Sequence, residues 1–229
     1  MPKLEFLVDE RPITADIRDL IIAGWTGRDA AAVEHHIAEL QAIGVARPRT
    51  VPCFYRCGAN LLTTAEHLDV TGPDSSGEVE FVLLSLPQGL FVGVGSDHTD
   101  RKVEAYGVTV SKQMCPKPVG PSLWRFEDVK PHWDSLILRS FATRRTAGNA
   151  ERELYQQGPV TKMLAPNDLT SRYLKSTATL PIGIAMYCGT LPVLTTIGGA
   201  EKFEIELEDP IRNRRLTHSY EARILPYSD

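Results

Sequence analysis

The sequence lacks the features that mark a chain for a membrane, for export or for nucleic acid. No apolar run approaches the roughly 20 residues that span a bilayer, and residues 1–6 lack the apolar core of a signal peptide. Lys and Arg number 25 against 29 Asp and Glu, so the net charge of −4 provides no basic field for a nucleic acid backbone. These absences predict a cytoplasmic protein with neither nucleic-acid nor membrane partners.

Cysteine is scarce, and repeats and low-complexity tracts are absent. The four cysteines form no C-x-x-C pair, which excludes the usual structural zinc cage and predicts thiols in a reducing compartment. The chain of 229 residues is 42% hydrophobic and 24% charged, as in packed globular proteins and unlike disordered ones. We therefore expect one main domain, residues 50–229, with an N-terminal strand–helix extension, residues 1–49, packed on it.

The N-terminal extension contains the clearest helical pattern in the sequence. A short strand is predicted at Leu4 to Val8, and a helix at residues 29–43. Thr26 and Asp29 match an S/T-x-x-D/E start signal. The apolar face of this helix comprises Val33, Ile37 and Leu40, and it ends at Gly44, which suits a left-handed stop.

From residue 50 onward the pattern is mostly β. Many short strands with few helices predict an α+β fold dominated by a closed or folded-over antiparallel sheet. Two short helices are predicted at residues 149–158 and 167–174. The predicted strands are Val51 to Tyr55, Glu78 to Leu86, Leu90 to Val94, Val103 to Ser111, Trp133 to Ser140, Ile182 to Cys188, Phe203 to Leu207 and Ser219 to Leu225.

Two carboxylates lie next to an apolar strand in the segment Gly77 to Leu84. Alternate side chains of a strand share a face, so Glu78 and Glu80 point the same way as the aliphatic residues that follow. Burying two carboxylates there is costly unless something neutralises them. A turn at residues 87–89 would fold the next strand back and bring Asp97 close to both.

Three carboxylates favour a hard cation, with Mg²⁺ or Mn²⁺ first and Ca²⁺ next. The alternative is that Glu78 and Glu80 line the wet face of an amphipathic strand while Asp97 caps a turn. Spacing alone leaves both interpretations open. We expect Asp97→Asn and Glu80→Gln to abolish metal binding with the fold intact, since the carboxylates repel one another without the ion.

The same residues carry a resemblance to a known family. Gly77-Glu78-Val79-Glu80 and an apolar strand, followed by Ser96-Asp97-His98-Thr99-Asp100-Arg101, resemble the fumarylacetoacetate hydrolase-like superfamily, which has an E-x-E pair and an N-D-x-S-x-R-D motif. In register, Asp97 falls on the metal Asp, Thr99 on the Ser and Arg101 on the Arg. Residues 112–121, 180–183 and 189–192 resemble later motifs of the family in the right order, so the likeness covers about residues 50–225. Residues 93–117 are most similar to an uncharacterised bacterial branch.

The resemblance implies a folded-over β-roll core, a catalytic domain at residues 50–229, a divalent cation on Glu78, Glu80 and Asp97, and a homodimer. It also implies an enzyme that acts on a 2-oxo acid or acylpyruvate-type carboxylate, with hydrolysis of a C–C bond through a metal-stabilised enolate. Lys112, Arg101 and His98 are the expected catalytic residues. The expected substrate-binding residues are Thr190, Gly189, Glu104 and Thr99.

Some positions depart from the family pattern. Lys102 replaces the second Asp of R-D, and Glu104 stands where Gln is frequent. The N-x-x-x-H-x-x-E signature, whose His and Glu handle water in several hydrolases, is not visible between Cys53 and Thr64. Two alternatives therefore remain: a decarboxylase, isomerase or hydratase on a similar 2-oxo acid, and a non-catalytic β module that binds a small acid.

Overall fold

β-branched and aromatic runs form most of the strands, and Gly, Pro, Asp or Ser interrupts them. The structure is a computed structural model that describes residues 3–42, 47–146, 148–177 and 179–226. The strands are β1 (Lys3–Val8), β2 (Arg11–Asp16), β3 (Asp19–Gly24), β4 (Cys53–Cys57), β5 (Leu62–Thr63), β6 (His67–Val70), β7 (Ser75–Ser76), β8 (Val79–Leu86), β9 (Gly89–Ser96), β10 (Thr99–Asp100), β11 (Lys117–Pro118), β12 (Ser122–Arg125), β13 (Ile137–Thr146), β14 (Asn149–Pro159), β15 (Ile184–Tyr187), β16 (Lys202–Asp209) and β17 (Arg214–Ile224). The helices are α1 (Ala30–Ala42), α2 (Arg101–Tyr106), α3 (Val108–Met114), α4 (Phe126–Val129) and α5 (Pro166–Leu174), and short 3-10 turns lie at Ala59–Leu61, Lys130–Ser135 and Val160–Lys162.

The larger sheet has eight strands in the order β2-β1-β12-β9-β8-β15-β3-β4. The N-terminal residues supply three of these strands where the sequence predicted one, and they are hydrogen-bonded within the sheet. Strand β1 pairs in parallel with β12, and β3 pairs in parallel with β15. The sheet is therefore mixed, not purely antiparallel. The domain division at residue 50 stays a prediction.

A five-stranded sheet, in the order β14-β13-β16-β17-β6, packs against one face of the larger sheet. Side chains from both sheets share one buried cluster that includes Phe81 and Leu83 of β8 together with Leu138 and Leu207. A second cluster, on the other face of the larger sheet, includes Val82. Strand β8 is thus buried on both faces, and the predicted α+β fold with a folded-over β core is confirmed.

Two predicted elements have the wrong type. Residues 149–158, predicted as a helix, form strand β14, which pairs with β13 along its whole length. Ile137 lies opposite Pro159 at one end of this ladder, and Thr146 lies opposite Asn149 at the other. The good helix formers of this segment are overridden by that long pairing. Val103 to Ser111, predicted as a strand, lies in α2 and α3, because the Asp100 carboxylate accepts a hydrogen bond from the Val103 N–H at 2.9 Å and starts a helix.

The other predicted elements are present with shifted ends. Asp29 precedes helix α1, and its carboxylate accepts hydrogen bonds from Ala31 N (3.0 Å) and Ala32 N (3.1 Å), so Asp29 and not Thr26 is the cap. The predicted stop at Gly44 and the side chain of Leu40 lie outside the described residues. The strand predicted from Trp133 starts at Ile137, after a 3-10 turn. No described helix is long and apolar enough to cross a membrane.

Candidate metal and substrate site

The β8–β9 hairpin brings the three predicted carboxylates together. Leu86 pairs with Gly89 next to the turn, and Val79 pairs with Ser96 at the far end of the hairpin. This register places Asp97 beside Glu78 and Glu80. One ligand oxygen from each of the three carboxylates lies within 4.8 Å of the other two. Glu80 and Asp97 are buried, whereas 20% of the Glu78 side chain is exposed. The shared face predicted from alternation is therefore present.

The spacing of these oxygens fits a divalent cation. Two oxygens on one ion lie at most twice the metal–oxygen distance apart, which is about 4.2 Å for Mg²⁺ and about 5 Å for Ca²⁺. A separation of at most 4.8 Å is within the span that Ca²⁺ allows and overlaps the span that Mg²⁺ allows. Three carboxylates are also the donor chemistry that hard cations prefer.

Two buried lysines hold the Asp97 carboxylate. The Lys112 ammonium donates to Oδ2, and the Lys117 ammonium lies 2.8 Å from Oδ1. Burial alone would raise the pKa of Asp97, but these ammonium groups hold that pKa well below its usual range. In turn, burial would lower the pKa of Lys112, while Asp97 and Glu78 raise it above its usual range. Asp97 and Lys112 are therefore a buried ion pair.

Glu80 is in the opposite electrostatic situation. Burial is the largest cause that raises its pKa well above the usual range, and the charges of Asp97 and Glu78 raise it further. Its Oε2 accepts one compensating hydrogen bond, from the Gly189 N–H at 2.6 Å. Glu80 is thus the carboxylate that a bound cation would stabilise most.

Arg101, an expected catalytic residue, binds Glu78 and not Asp97. Its Nη1 donates to Glu78 Oε1 at 3.1 Å and to Glu104 Oε2 at 2.9 Å, and its Nε donates to Ser76 Oγ at 2.6 Å. Glu104 Oε1 also lies 3.9 Å from Lys112 Nζ. Glu104 therefore reaches the edge of the cluster, but its carboxylate is already paired with cations.

The other predicted substrate residues lie against the carboxylates from two sides. The Thr99 hydroxyl donates to the Asp97 carbonyl at 3.0 Å and is fully buried, so here it orients Asp97. Gly189 has φ +100°, and a Cβ on it would lie 1.7 Å from Thr26 Oγ1, so only glycine fits this turn. The Thr190 hydroxyl donates to the Val79 carbonyl at 2.8 Å and is thereby engaged within the protein.

His98 is adjacent to Asp97 in sequence, but its imidazole is not directed at the carboxylates. The ring packs edge-on against Phe203 and Tyr220 at centroid distances of 5.7 and 5.6 Å, and Nδ1 is 3.2 Å from Tyr220 Oη. Burial lowers its pKa to about 3, so the ring is neutral. The expectation that His98 is a catalytic residue of this site is therefore corrected: its ring packs against the aromatic side chains of Phe203 and Tyr220.

Sequence reasoning assigned no role to three residues of the site. Lys117 is completely buried against Asp97, and the signal available was a lysine flanked by two prolines in an apolar segment. Tyr55 is the second of these residues: the centroid of its ring lies 5.9 Å from the Lys112 ammonium. This contact joins β4 to α3, and no sequence motif reveals it. Gln156 was hidden because its strand was predicted as a helix.

The fold is similar to that of solved structures described as fumarylacetoacetate hydrolase family proteins, the family whose motifs the sequence resembles. A protein from Oleispira antarctica described as a fumarylacetoacetate isomerase/hydrolase matches with TM-score 0.65 at 15% identity, covering 97% of this chain and 100% of its own. A protein from Burkholderia cenocepacia described as a fumarylpyruvate hydrolase matches with TM-score 0.64 at 17% identity, and the match covers 99% of this chain and 97% of that protein. A 2-keto-3-deoxyarabinonate dehydratase matches with TM-score 0.61 at 15% identity, and the match covers 92% of this chain and 75% of that protein.

Within that fold class, residues 23–220 match the family described as protein of unknown function DUF2848. The match spans most of the chain, so the chain belongs to this family. No curated protein sequence matches it. The family assignment agrees with the uncharacterised branch that the sequence resembled.

Proposed function

We propose that the protein is a metal-dependent enzyme that acts on a 2-oxo acid or acylpyruvate-type small molecule. The convergence of Glu78, Glu80 and Asp97 within 4.8 Å carries this proposal. A divalent cation held there would polarise the paired oxygens of such a substrate and stabilise developing negative charge. Similarly folded proteins described as a fumarylpyruvate hydrolase and a 2-keto-3-deoxyarabinonate dehydratase support the substrate class.

Lys112 is the residue we propose to contact the substrate's developing charge. Its ammonium lies between Asp97 and the more exposed Glu78 and Glu104, at 4.0 Å and 3.9 Å from the latter two. Its raised pKa keeps it a cation that can donate a hydrogen bond to an oxyanion. The Gly189 N–H donates to Glu80 Oε2 at 2.6 Å, and the adjacent backbone N–H of Thr190 would bind a substrate carboxylate.

Hydrolytic C–C cleavage is the reaction that the family resemblance favours. One observation supports a second candidate, namely decarboxylation, isomerisation or dehydration: His98, the histidine nearest to the carboxylates in sequence, hydrogen-bonds Tyr220 and does not face them. Product analysis in ¹⁸O-labelled water separates the two candidates. Label in a released acid supports hydrolysis, whereas carbon dioxide release or loss of a substrate hydroxyl supports the second candidate.

The first experiment is a Mn²⁺ titration followed by the EPR signal of the free ion. We expect the wild-type protein to remove Mn²⁺ from solution at a ratio of one per chain, and Glu80→Gln to remove none. A wild type that leaves the free signal unchanged would instead indicate a non-catalytic module that binds a small acid. Turnover is then assayed with 2-oxo acids and acylpyruvates, where Lys112→Ala should lower kcat with little change in Mn²⁺ affinity.

The proposal also includes a homodimer and a cytoplasmic location. The outer strands β2 and β4 of the larger sheet offer backbone groups through which two copies could pair. Light scattering after size exclusion tests the dimer, and a mass of one chain at all concentrations would contradict it.

A further inference from the structure

The side-chain amide of Gln156 lies behind the carboxylate-bearing end of β8 with all four of its hydrogen-bonding positions filled. Its Oε1 accepts from the Val79 N–H at 2.9 Å and from the Ser140 hydroxyl at 3.0 Å. Its Nε2 donates to Thr190 Oγ1 at 2.9 Å and to the Leu191 carbonyl at 2.6 Å. An amide has two donor and two acceptor positions. The side chain is fully buried, so bulk solvent does not compete for these hydrogen bonds.

Val79 needs these bonds because it has a neighbouring strand on one side only. The β8–β15 ladder ends at the Val82–Tyr187 pair, and β15 then leads into the Gly189 turn. The Val79 N–H is bound by Gln156, and the Val79 carbonyl accepts from the Thr190 hydroxyl at 2.8 Å. A buried backbone group requires such a partner. Two side chains thus replace the missing strand at this position.

We propose that Gln156 is a positioning residue for the cation site, an inference that rests on the proposed function. Val79 is the residue between Glu78 and Glu80, so the amide that binds its N–H holds the backbone from which both carboxylates project. The same amide holds Thr190, whose neighbour Gly189 donates its N–H to Glu80 Oε2 at 2.6 Å. One side chain therefore fixes both the strand and the loop that face the cation.

Gln156→Met tests this role because it keeps the length of the side chain and removes the amide. The matched control is Gln157→Ala, its exposed neighbour, which accepts a 3.3 Å hydrogen bond from Arg139. We expect Gln156→Met to weaken Mn²⁺ binding about 10- to 100-fold in the EPR titration, the usual effect of losing a residue that orients a metal ligand. Gln157→Ala should bind Mn²⁺ like the wild type. Equal affinity in Gln156→Met and wild type would overturn the inference.

Hydrogen exchange separates a local role from general destabilisation. In Gln156→Met without metal, the Val79 amide should exchange at least tenfold faster, while the amides of Leu83 and Leu84 keep the wild-type rate. An unchanged Val79 rate, or an equal acceleration along all of β8, would overturn the inference. A wild type that binds no Mn²⁺ overturns the proposed function instead, and the exchange experiment still decides whether Gln156 holds Val79.

Discussion

The two ends of strand β8 have the same backbone conformation but different surroundings. From Val82 to Ser85 the strand has a neighbouring strand on each side, and its side chains are apolar apart from Ser85. At Val79 and Glu80 the neighbour on the β15 side is gone, and Gln156, Gly189 and Thr190 bind the strand in its place. One end is held by backbone pairing, and the other is held by side chains and a turn.

This difference explains why charged groups collect at one end only. Where both neighbouring strands pair with β8, they use its backbone groups and their own, so no backbone N–H is free to bind a buried carboxylate there. Where the ladder ends, the Gly189 N–H becomes available to Glu80, and the start of β8 lies beside Asp97 and its two lysines. The end of a rigid sheet thus supplies both fixed geometry and donors for buried charge.

The largest loss of stability is expected for Asp97→Asn, at the end of β8 that side chains bind. This change leaves the buried ammonium groups of Lys112 and Lys117 without their carboxylate, which costs about 3–5 kcal/mol of unfolding free energy. The sequence argument expected the fold to remain intact, because it considered only repulsion among the carboxylates. Urea unfolding without divalent ions measures the loss. Asp134→Asn is the control, since Asp134 is exposed and pairs with Arg28 at the surface. A midpoint for Asp97→Asn equal to that of the control would contradict the buried ion pair.

At the backbone-paired end, Leu83→Ala should cost about 2–5 kcal/mol of unfolding free energy, because Leu83 is completely buried. Its Mn²⁺ affinity should stay within about twofold of the wild type, since Leu83 lies in the apolar core and not among the carboxylates. Urea unfolding and the EPR titration measure the two quantities on the same sample. A variant that loses Mn²⁺ affinity in proportion to stability would show that the two ends are not independent.

The same contrast explains what the sequence could predict. The hairpin and the shared face of Glu78 and Glu80 follow from local alternation and a turn, so they were predictable. The helices over residues 101–114 were missed because the cap at Asp100 was not recognised as a start signal. Strand β14 was missed because its identity depends on pairing with β13. Lys117 and Gln156 come from distant segments, and no local pattern encodes contacts of that kind.

A smaller effect is expected for Gly189→Ala, which changes the turn that replaces the strand. A residue with a Cβ at φ +100° is strained by about 1–3 kcal/mol, and this Cβ would also lie 1.7 Å from Thr26 Oγ1. We expect weaker Mn²⁺ binding as well, because the shifted backbone moves its N–H away from Glu80. The double variant with Thr26→Ala removes the hydroxyl, so a partial recovery of stability assigns that part of the loss to the clash. No loss in the single variant would contradict the geometry of the turn.

The smallest expected change in stability, of opposite sign, is for Glu80→Gln. Burial raises the pKa of Glu80 most, and the charges of Asp97 and Glu78 raise it further, so a neutral amide of the same shape should raise the unfolding free energy without metal by about 1 kcal/mol. Glu78→Gln is the matched comparison: it removes the Arg101 ion pair at 3.1 Å and should lower stability slightly. Thermal unfolding with and without Mn²⁺ measures both variants. A Glu80→Gln variant that is less stable than Glu78→Gln without metal would contradict this prediction. It would show that the protein alone stabilises the charge of Glu80, so that no cation is required to do so.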